Sequence, residues 1–132
     1  MSKKHRHDQK ITAQIDISKA DWQMILDAVD FYDTEIYEFD AYCPNHQTRS
    51  AVASAAAKLR NMPLTDENRG KFPLSTKETA AILYSMQYIQ EEVAAGNLEL
   101  DEIPESLHDQ STLTALMDHL TAFLAALGIV FE

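Results

Sequence analysis

A chain of 132 residues, of which 45% are hydrophobic, has the length and composition of one globular domain, which excludes an intrinsically disordered protein. The single cysteine, Cys43, excludes an internal disulfide, and the lack of a recognisable signal peptide predicts a cytoplasmic location. The net charge of −10 argues against direct nucleic-acid binding by the body of the domain. Residues 113–131 are the most apolar stretch, but Asp118 and His119 interrupt them, so no membrane association is predicted.

The N-terminal part of the chain contains a basic segment followed by a strand-like one. Residues 1–10 have no hydrophobic pattern, so we expect a flexible basic tail ahead of a single helical domain at residues 11–132. Residues 11–17 alternate hydrophobic and polar side chains, which predicts a half-buried strand. A strand needs a partner, and we expect it in residues 129–131 near the C-terminus or in a second copy of the chain.

The first predicted helix follows Ser18, a good N-cap residue with Asp21 three positions later. Its hydrophobic residues alternate spacings of three and four, which predicts one buried stripe. The residues of this stripe are Trp22, Ile25, Val29, Tyr32, Ile36, Phe39 and Cys43. Pro44 ends the predicted helix, because the residue before a proline avoids helical backbone angles.

Three further helices are predicted. Residues 47–62 carry an alanine-rich face, Ser75 and Glu78 form a capping box whose helix ends at Gly96, and a last helix begins near Ser111. The expected core residues of these helices are Val52, Ala55, Ala56 and Leu59, then Thr79, Ile82, Met86, Ile89 and Val93, then Leu113, Leu116, Leu120, Phe123 or Leu124, and Leu127. The predicted fold class is mainly α: an antiparallel bundle of about four helices with a short N-terminal strand.

The first helix has apolar residues on a second face as well. At 100° per residue, Met24, Phe31 and Tyr42 fall opposite the buried stripe. The acids that border this second face are Asp27, Asp30, Glu35 and Glu38. A surface helix needs only one apolar face, so the second must be covered by the bundle itself, by another copy of the chain or by another protein. Aromatic anchors with a polar rim are typical of interfaces, and we therefore predict that these seven residues bind a partner.

Charge is segregated along the chain. Residues 20–42 hold seven acids and no Lys or Arg, residues 43–77 hold six bases and two acids, and residues 78–132 hold ten acids and no base. One interpretation is that the basic middle packs beside its acidic flanks, with Arg49 or Lys58 meeting acids at the edge of the first helix. The other is a negative face presented to a basic partner.

No catalytic or nucleotide-binding motif is present: the sequence has no Walker loop, no G-x-G-x-x-G, no G-x-S-x-G and no C-x-x-C. We therefore expect a non-enzymatic protein-interaction or regulatory module without a cofactor, which self-associates through the helix at residues 20–42. One alternative is an acidic inhibitor that imitates nucleic acid and occupies the groove of a DNA- or RNA-binding protein.

A second alternative is an enzyme. The spacing Glu35-x-x-Glu38, followed by Glu91 and Glu92, resembles the acidic helices that hold Mg²⁺ in all-α nucleotide pyrophosphohydrolases. This resemblance implies a metal-dependent hydrolase in which the four carboxylates are the metal ligands. Such a site requires the carboxylates to face inward, whereas Glu35 and Glu38 point away from the stripe that begins at Trp22.

Overall fold

The protein is described by a computed structural model that covers residues 17–36, 46–61 and 74–128. Its four α-helices are α1 (Lys19–Phe31), α2 (His46–Arg60), α3 (Thr76–Ala94) and α4 (Gln110–Ala126). A π-helical turn, Tyr32–Ile36, continues α1, and two 3-10 turns, Leu100–Glu102 and Glu105–Leu107, connect α3 to α4. The described part is mainly helical and fits the predicted bundle. Within it, no helix has the length and apolarity that crossing a membrane requires.

The predicted strand has no support in the described residues. Ile17 is fully buried but belongs to no strand, and the three described ranges contain no strand at all. The rest of the predicted strand, its expected mate at residues 129–131 and the predicted tail at residues 1–10 lie outside the described residues.

The start of α1 follows from its sequence. The hydroxyl of Ser18 accepts a hydrogen bond from the backbone N–H of Asp21 at 3.1 Å, and the Asp21 carboxylate accepts one from the N–H of Ser18 at 3.4 Å. Two N–H groups that a helix start leaves unpaired are thereby satisfied. The predicted stripe is buried as far as it is described, at Trp22, Ile25, Val29 and Tyr32.

The predicted single long helix changes its form at Tyr32. The α-helix ends at Phe31 and the chain continues as a π-helical turn, which the spacing of hydrophobic residues did not predict. The later members of the stripe, Phe39 and Cys43, lie outside the described residues. π-turns are uncommon and often occur at functional sites, so the end of α1 is a candidate location for a functional site.

Helix α3 lies at the centre of the bundle, because it packs against α1, α2 and α4. Its predicted stripe is buried from Thr79 to Ile89, but Ala81, Leu83 and Ser85 are buried as well. A helix with neighbours on several sides buries more than one stripe. The predicted capping box is confirmed, since Ser75 and Glu78 each accept a hydrogen bond from the other's backbone N–H.

Helices α2 and α4 each pack against α3. All four predicted core residues of α2 are buried. Helix α4 begins at Gln110, one residue before the predicted start, because Asp109 caps it by accepting a hydrogen bond from the N–H of Thr112. Of the two alternatives for the fourth position of its stripe, Leu124 is fully buried and Phe123 is half-buried. Leu127 was predicted to be core but is 40% exposed, since the helix has already ended.

Helices α1 and α2 meet at their C-terminal ends. Arg60, the last residue of α2, donates hydrogen bonds to Asp30 at 2.6 Å and to Asp33 at 3.0 Å. An antiparallel pair would instead bring the end of α2 beside the start of α1.

Candidate functional site

The seven residues predicted to bind a partner are placed in quite different surroundings. Met24 is only 5% exposed and belongs to the core of its own chain, so a partner cannot reach it in the folded monomer. This part of the second apolar face of α1 is covered by the bundle itself. Tyr42 and Glu38 lie outside the described residues.

Two of the predicted rim acids bind residues of their own chain. Asp27 accepts a hydrogen bond from the hydroxyl of Ser106 at 2.6 Å and another from the amide of Gln23 at 2.9 Å. The Ser106 contact holds the second 3-10 turn against α1, across 79 positions of sequence. Asp30 pairs with Arg60. Both acids therefore have a structural role within the bundle.

The remaining two, Phe31 and Glu35, line the same surface cleft. This cleft has a volume of about 390 Å³ and lies between the end of α1 and the end of α3 with the loop that follows it. Its lining residues are Phe31, Glu35, Tyr88, Glu92, Asn97, Leu98 and Glu102. We call it the acidic cleft, because three carboxylates and no Lys or Arg belong to its lining.

The wall of the acidic cleft formed by α3 rests on a cluster of tyrosines. The ring of Tyr32 contacts those of Tyr84 and Tyr88 edge-to-face, with both ring centroids 5.7 Å away and interplanar angles of 82° and 81°. Tyr32 is fully buried, so it supports Tyr88 from inside the bundle. Edge-to-face pairs of this kind fix ring orientation, and Tyr88 therefore presents a defined aromatic surface to the cleft.

The loop after α3 forms a further part of the lining, and its path is set by Gly96. This glycine has a φ of 82°, and the N–H groups of Asn97 and Leu98 both donate to the carbonyl of Glu92, at 2.9 and 3.2 Å. Helices often end in this way, with a left-handed glycine that reverses the chain. The reversal brings Asn97 and Leu98 back beside the last turn of α3.

The three carboxylates of the cleft differ in what they bind. Glu92 accepts a hydrogen bond from the side-chain amide of Asn97 at 2.9 Å, and Glu102 accepts one from the backbone N–H of Glu99 at 2.7 Å. These bonds hold two of the carboxylates in place. The carboxylate of Glu35 is exposed and makes no hydrogen bond or ion pair with any other described residue.

Two basic side chains of α2 are paired elsewhere. Lys58 lies 2.8 Å from the carboxylate of Glu78, which also accepts hydrogen bonds from Ser54 and from the N–H of Ser75. Burial raises the pKa of Glu78, but the bonds from Lys58, Ser54 and Ser75 outweigh it and leave the pKa below its ordinary value. Helix α2 therefore compensates part of the acidic charge inside the bundle, whereas no described Lys or Arg lines the acidic cleft.

Hydrogen bonds raise the pKa of Arg60 above its ordinary value. The larger effect comes from Asp33 and the next from Asp30. The basic middle of the chain thus packs beside an acidic flank, as one interpretation of the sequence predicted. Arg60 meets the described acids at the end of α1, Asp30 and Asp33, whereas Lys58, one of the two bases expected there, pairs with Glu78.

The hydrolase alternative finds only part of its proposed site. Glu35 and Glu92 line one cleft, but Glu91 binds the amide of Gln87 on α3, and Glu38 lies outside the described residues. Among the described residues, no group of three or more His, Cys, Asp or Glu is close enough to hold a metal ion. The carboxylates of the cleft are thus spread around a space that suits a larger group.

The sequence did not point to most of the cleft. Tyr88, Asn97, Leu98 and Glu102 were not among the predicted site residues, because three of them lie in or beside a loop whose position depends on the fold. One signal was available: Tyr84 and Tyr88 are four residues apart on one side of α3, beside its buried stripe.

Comparisons with known proteins offer no relative from which a function can be transferred. No protein-family model, no curated protein and no solved structure matches the chain.

Proposed function

We propose that this chain is a non-enzymatic protein-interaction module that docks a partner protein at the acidic cleft. The observation that carries the proposal is the cleft itself, where an aromatic side chain and an exposed carboxylate at the end of α1, Phe31 and Glu35, face Tyr88 of α3. Aromatic anchors inside a polar rim are the usual composition of a protein interface. The π-turn that carries Glu35 also favours a functional role for this end of α1.

Self-association is the simplest form of this proposal, because homodimers are the commonest oligomers. Its support now rests on the end of α1, since Met24 is buried by its own chain. A second copy would have to cover Phe31 and approach three carboxylates with its own surface. A different partner protein would cover Phe31 and approach the same three carboxylates.

Site-specific photocrosslinking tests the proposal. Leu100 is replaced by p-benzoylphenylalanine, because it is exposed and lies in the chain between two lining residues of the cleft, Leu98 and Glu102. The protein is irradiated in its native cells. Ser50 is the matched control position, because it is also exposed on a helix and does not line the cleft. We expect a defined adduct from position 100 and none from position 50. Its mass tells whether the partner is a second copy of the chain or another protein.

A variant of the cleft completes the experiment. Phe31→Asp in the crosslinking protein should abolish the adduct, because it places a charge where an aromatic anchor is required. Phe31 also packs against the core, so folding of this variant is checked by circular dichroism. An adduct that forms equally from positions 100 and 50, or that survives Phe31→Asp in a folded protein, contradicts docking at the cleft.

A further inference from the structure

We infer that the acidic cleft receives an arginine side chain from a basic segment of the partner protein. The inference rests on the proposed function and adds the chemistry of the occupant. It is carried by one juxtaposition: the aromatic side chains of Phe31 and Tyr88 share a cavity with the carboxylates of Glu35, Glu92 and Glu102.

The size of the cavity and the arrangement of its acids favour an organic cation over a metal ion. A volume of about 390 Å³ lies within the range of sites that hold small organic groups. A metal ion needs several ligand atoms within about 2 to 2.6 Å, and no group of described residues in the chain meets that need. An extended cation can instead reach carboxylates that lie on different walls.

Aromatic walls distinguish a guanidinium from other cations. The planar guanidinium of arginine stacks on aromatic rings and is more weakly hydrated than the ammonium of lysine, so leaving water costs it less. Tyr32 contacts the ring of Tyr88 edge-to-face, and Phe31 is half-buried against the core. Both side chains therefore line the cleft with support from the bundle.

The carboxylates supply the charge and the directed hydrogen bonds. Glu92 and Glu102 are held by Asn97 and by the N–H of Glu99, each through one oxygen. Glu35 has no partner among the described residues. Carboxylates bind a guanidinium through short, charge-assisted bonds that are often bidentate.

Charge complementarity favours a basic partner. From residue 78 to the C-terminus the sequence contains ten acids and no Lys or Arg, so α4, the connector and α3 from Glu78 onward supply no Lys or Arg to the cleft. Lys58 and Arg60 of α2 are paired with Glu78, Asp30 and Asp33. Within the part of the chain that the structure describes, no Lys or Arg lines the cleft, and a basic segment of a partner protein meets this charge.

Nuclear magnetic resonance titration with short peptides tests the inference. The probes are Ac-Gly-Gly-Arg-Gly-Gly-NH2, the same peptide with lysine, and the same peptide with citrulline, which keeps the shape of arginine without its charge. We expect the arginine peptide to shift the amide signals of Tyr88, Glu92, Asn97 and Leu98 in a saturable way. The citrulline peptide should bind at least about tenfold more weakly, because it lacks the charge-assisted bonds. The lysine peptide should bind more weakly than the arginine peptide.

Two protein variants distinguish binding at the acidic cleft from nonspecific attraction of the peptide to an acidic protein. Glu35→Gln and Asp118→Asn remove the same charge, but Asp118 is exposed on α4 and does not line the cleft. We expect only Glu35→Gln to weaken binding of the arginine peptide. Equal weakening by both variants, or citrulline or lysine peptides that bind as tightly as the arginine peptide, would overturn the inference.

The two proposals fail in different ways. If position 100 yields a specific crosslink but no peptide binds at the cleft, the chain is still an interaction module and the inference about arginine is wrong. If neither a crosslink nor binding is seen, both proposals are wrong.

Discussion

The ammonium group of Lys58 lies 2.8 Å from a carboxylate oxygen of Glu78, a side chain that is almost completely buried. This pair joins the end of α2 to the start of α3. It also places a charged residue of the capping box inside the bundle, where that charge requires a partner.

Removing the lysine should destabilise the fold. In Lys58→Met, Glu78 keeps its bonds from Ser54 and Ser75 but loses its cation. Because Lys58 is itself half exposed and screened by water, we expect a loss of about 1 to 2 kcal/mol in the free energy of unfolding, measured by urea denaturation. Lys19→Met is the control, since Lys19 is exposed at the start of α1, and it should change stability by less than about 0.5 kcal/mol. Equal effects of the two substitutions would contradict the role of the pair.

The same carboxylate makes stability depend on pH. The pKa of Glu78 in the folded state lies below its ordinary value of 4.5, so folding favours the ionised form. The resulting stability is fully present above pH 4.5 and is lost as the pH falls through the lowered pKa. The difference in unfolding free energy between the wild type and Glu78→Gln should therefore be largest at neutral pH and shrink on acidification.

Glu78→Gln is a suitable reference, because glutamine keeps the geometry of the capping box and cannot ionise. The wild type alone is not sufficient, because hydrogen bonds from Thr112 and Ser111 also lower the pKa of Asp109. A difference that stays constant from pH 7 to pH 3 would show that Glu78 does not contribute through its charge.

The tyrosine cluster behind the acidic cleft should show energetic coupling. Tyr32 and Tyr88 contact edge-to-face, and such pairs contribute about 0.5 to 1.5 kcal/mol beyond their buried area. A double-mutant cycle with Tyr32→Leu and Tyr88→Leu, measured by chemical denaturation, should yield a coupling energy in this range. A cycle with Tyr88→Phe should give much less, because the ring contact is retained. Strictly additive effects of the two leucine substitutions would contradict the contact.

Substitution of Gly96 should destabilise the protein only because of the backbone conformation at this position. A Cβ atom at this position would meet no other atom within 4 Å, so any cost of Gly96→Ala comes from the φ of 82°. We expect a loss of about 1 to 2 kcal/mol in the free energy of unfolding. Gly96→Asn should cost less, because asparagine tolerates the left-handed region. If alanine and asparagine cost the same, the left-handed turn is not what limits the position.

The hydrogen bond between Ser106 and Asp27 should protect the connector between α3 and α4 from local unfolding. In Ser106→Ala, the second 3-10 turn loses its tie to α1, which we expect to cost about 1 to 2 kcal/mol. Hydrogen exchange of the Leu107 and His108 amides, which bond within this turn, should become faster. Unchanged exchange of these amides relative to Ser50→Ala, an exposed control on α2, would contradict this role.

Local features of the fold could be predicted because they depend on neighbouring residues. The capping boxes at Ser18 and Ser75, the stop at Gly96 and the apolar face of α2 are each set within one or two turns of chain. The start of α4 was also predicted to within one residue. In all these cases the stabilising contacts join residues that are close in sequence. The spacing of residue types is therefore sufficient to predict them.

Features that depend on distant segments could not be predicted. The helical wheel placed Met24 on the second apolar face of α1 and we predicted that it binds a partner, but the bundle covers it. Asp27 and Asp30 were predicted to border an interface, but Ser106 and Arg60 bind them from 79 and 30 positions away. A helical wheel shows which residues share a face, but it does not show which segment of chain packs on that face.

The sequence by itself determined where the four helices begin to within one residue, most of the stripe that each helix buries, and that residues 78–132 contain no Lys or Arg. The tertiary structure alone decided that α3 is central, that α1 and α2 meet at their C-terminal ends, and that Phe31, Glu35 and Tyr88 share one cleft. The physical reason is that helix starts and stripes arise from contacts between near neighbours. A cleft arises from how whole helices pack and from the loop that reverses the chain after Gly96.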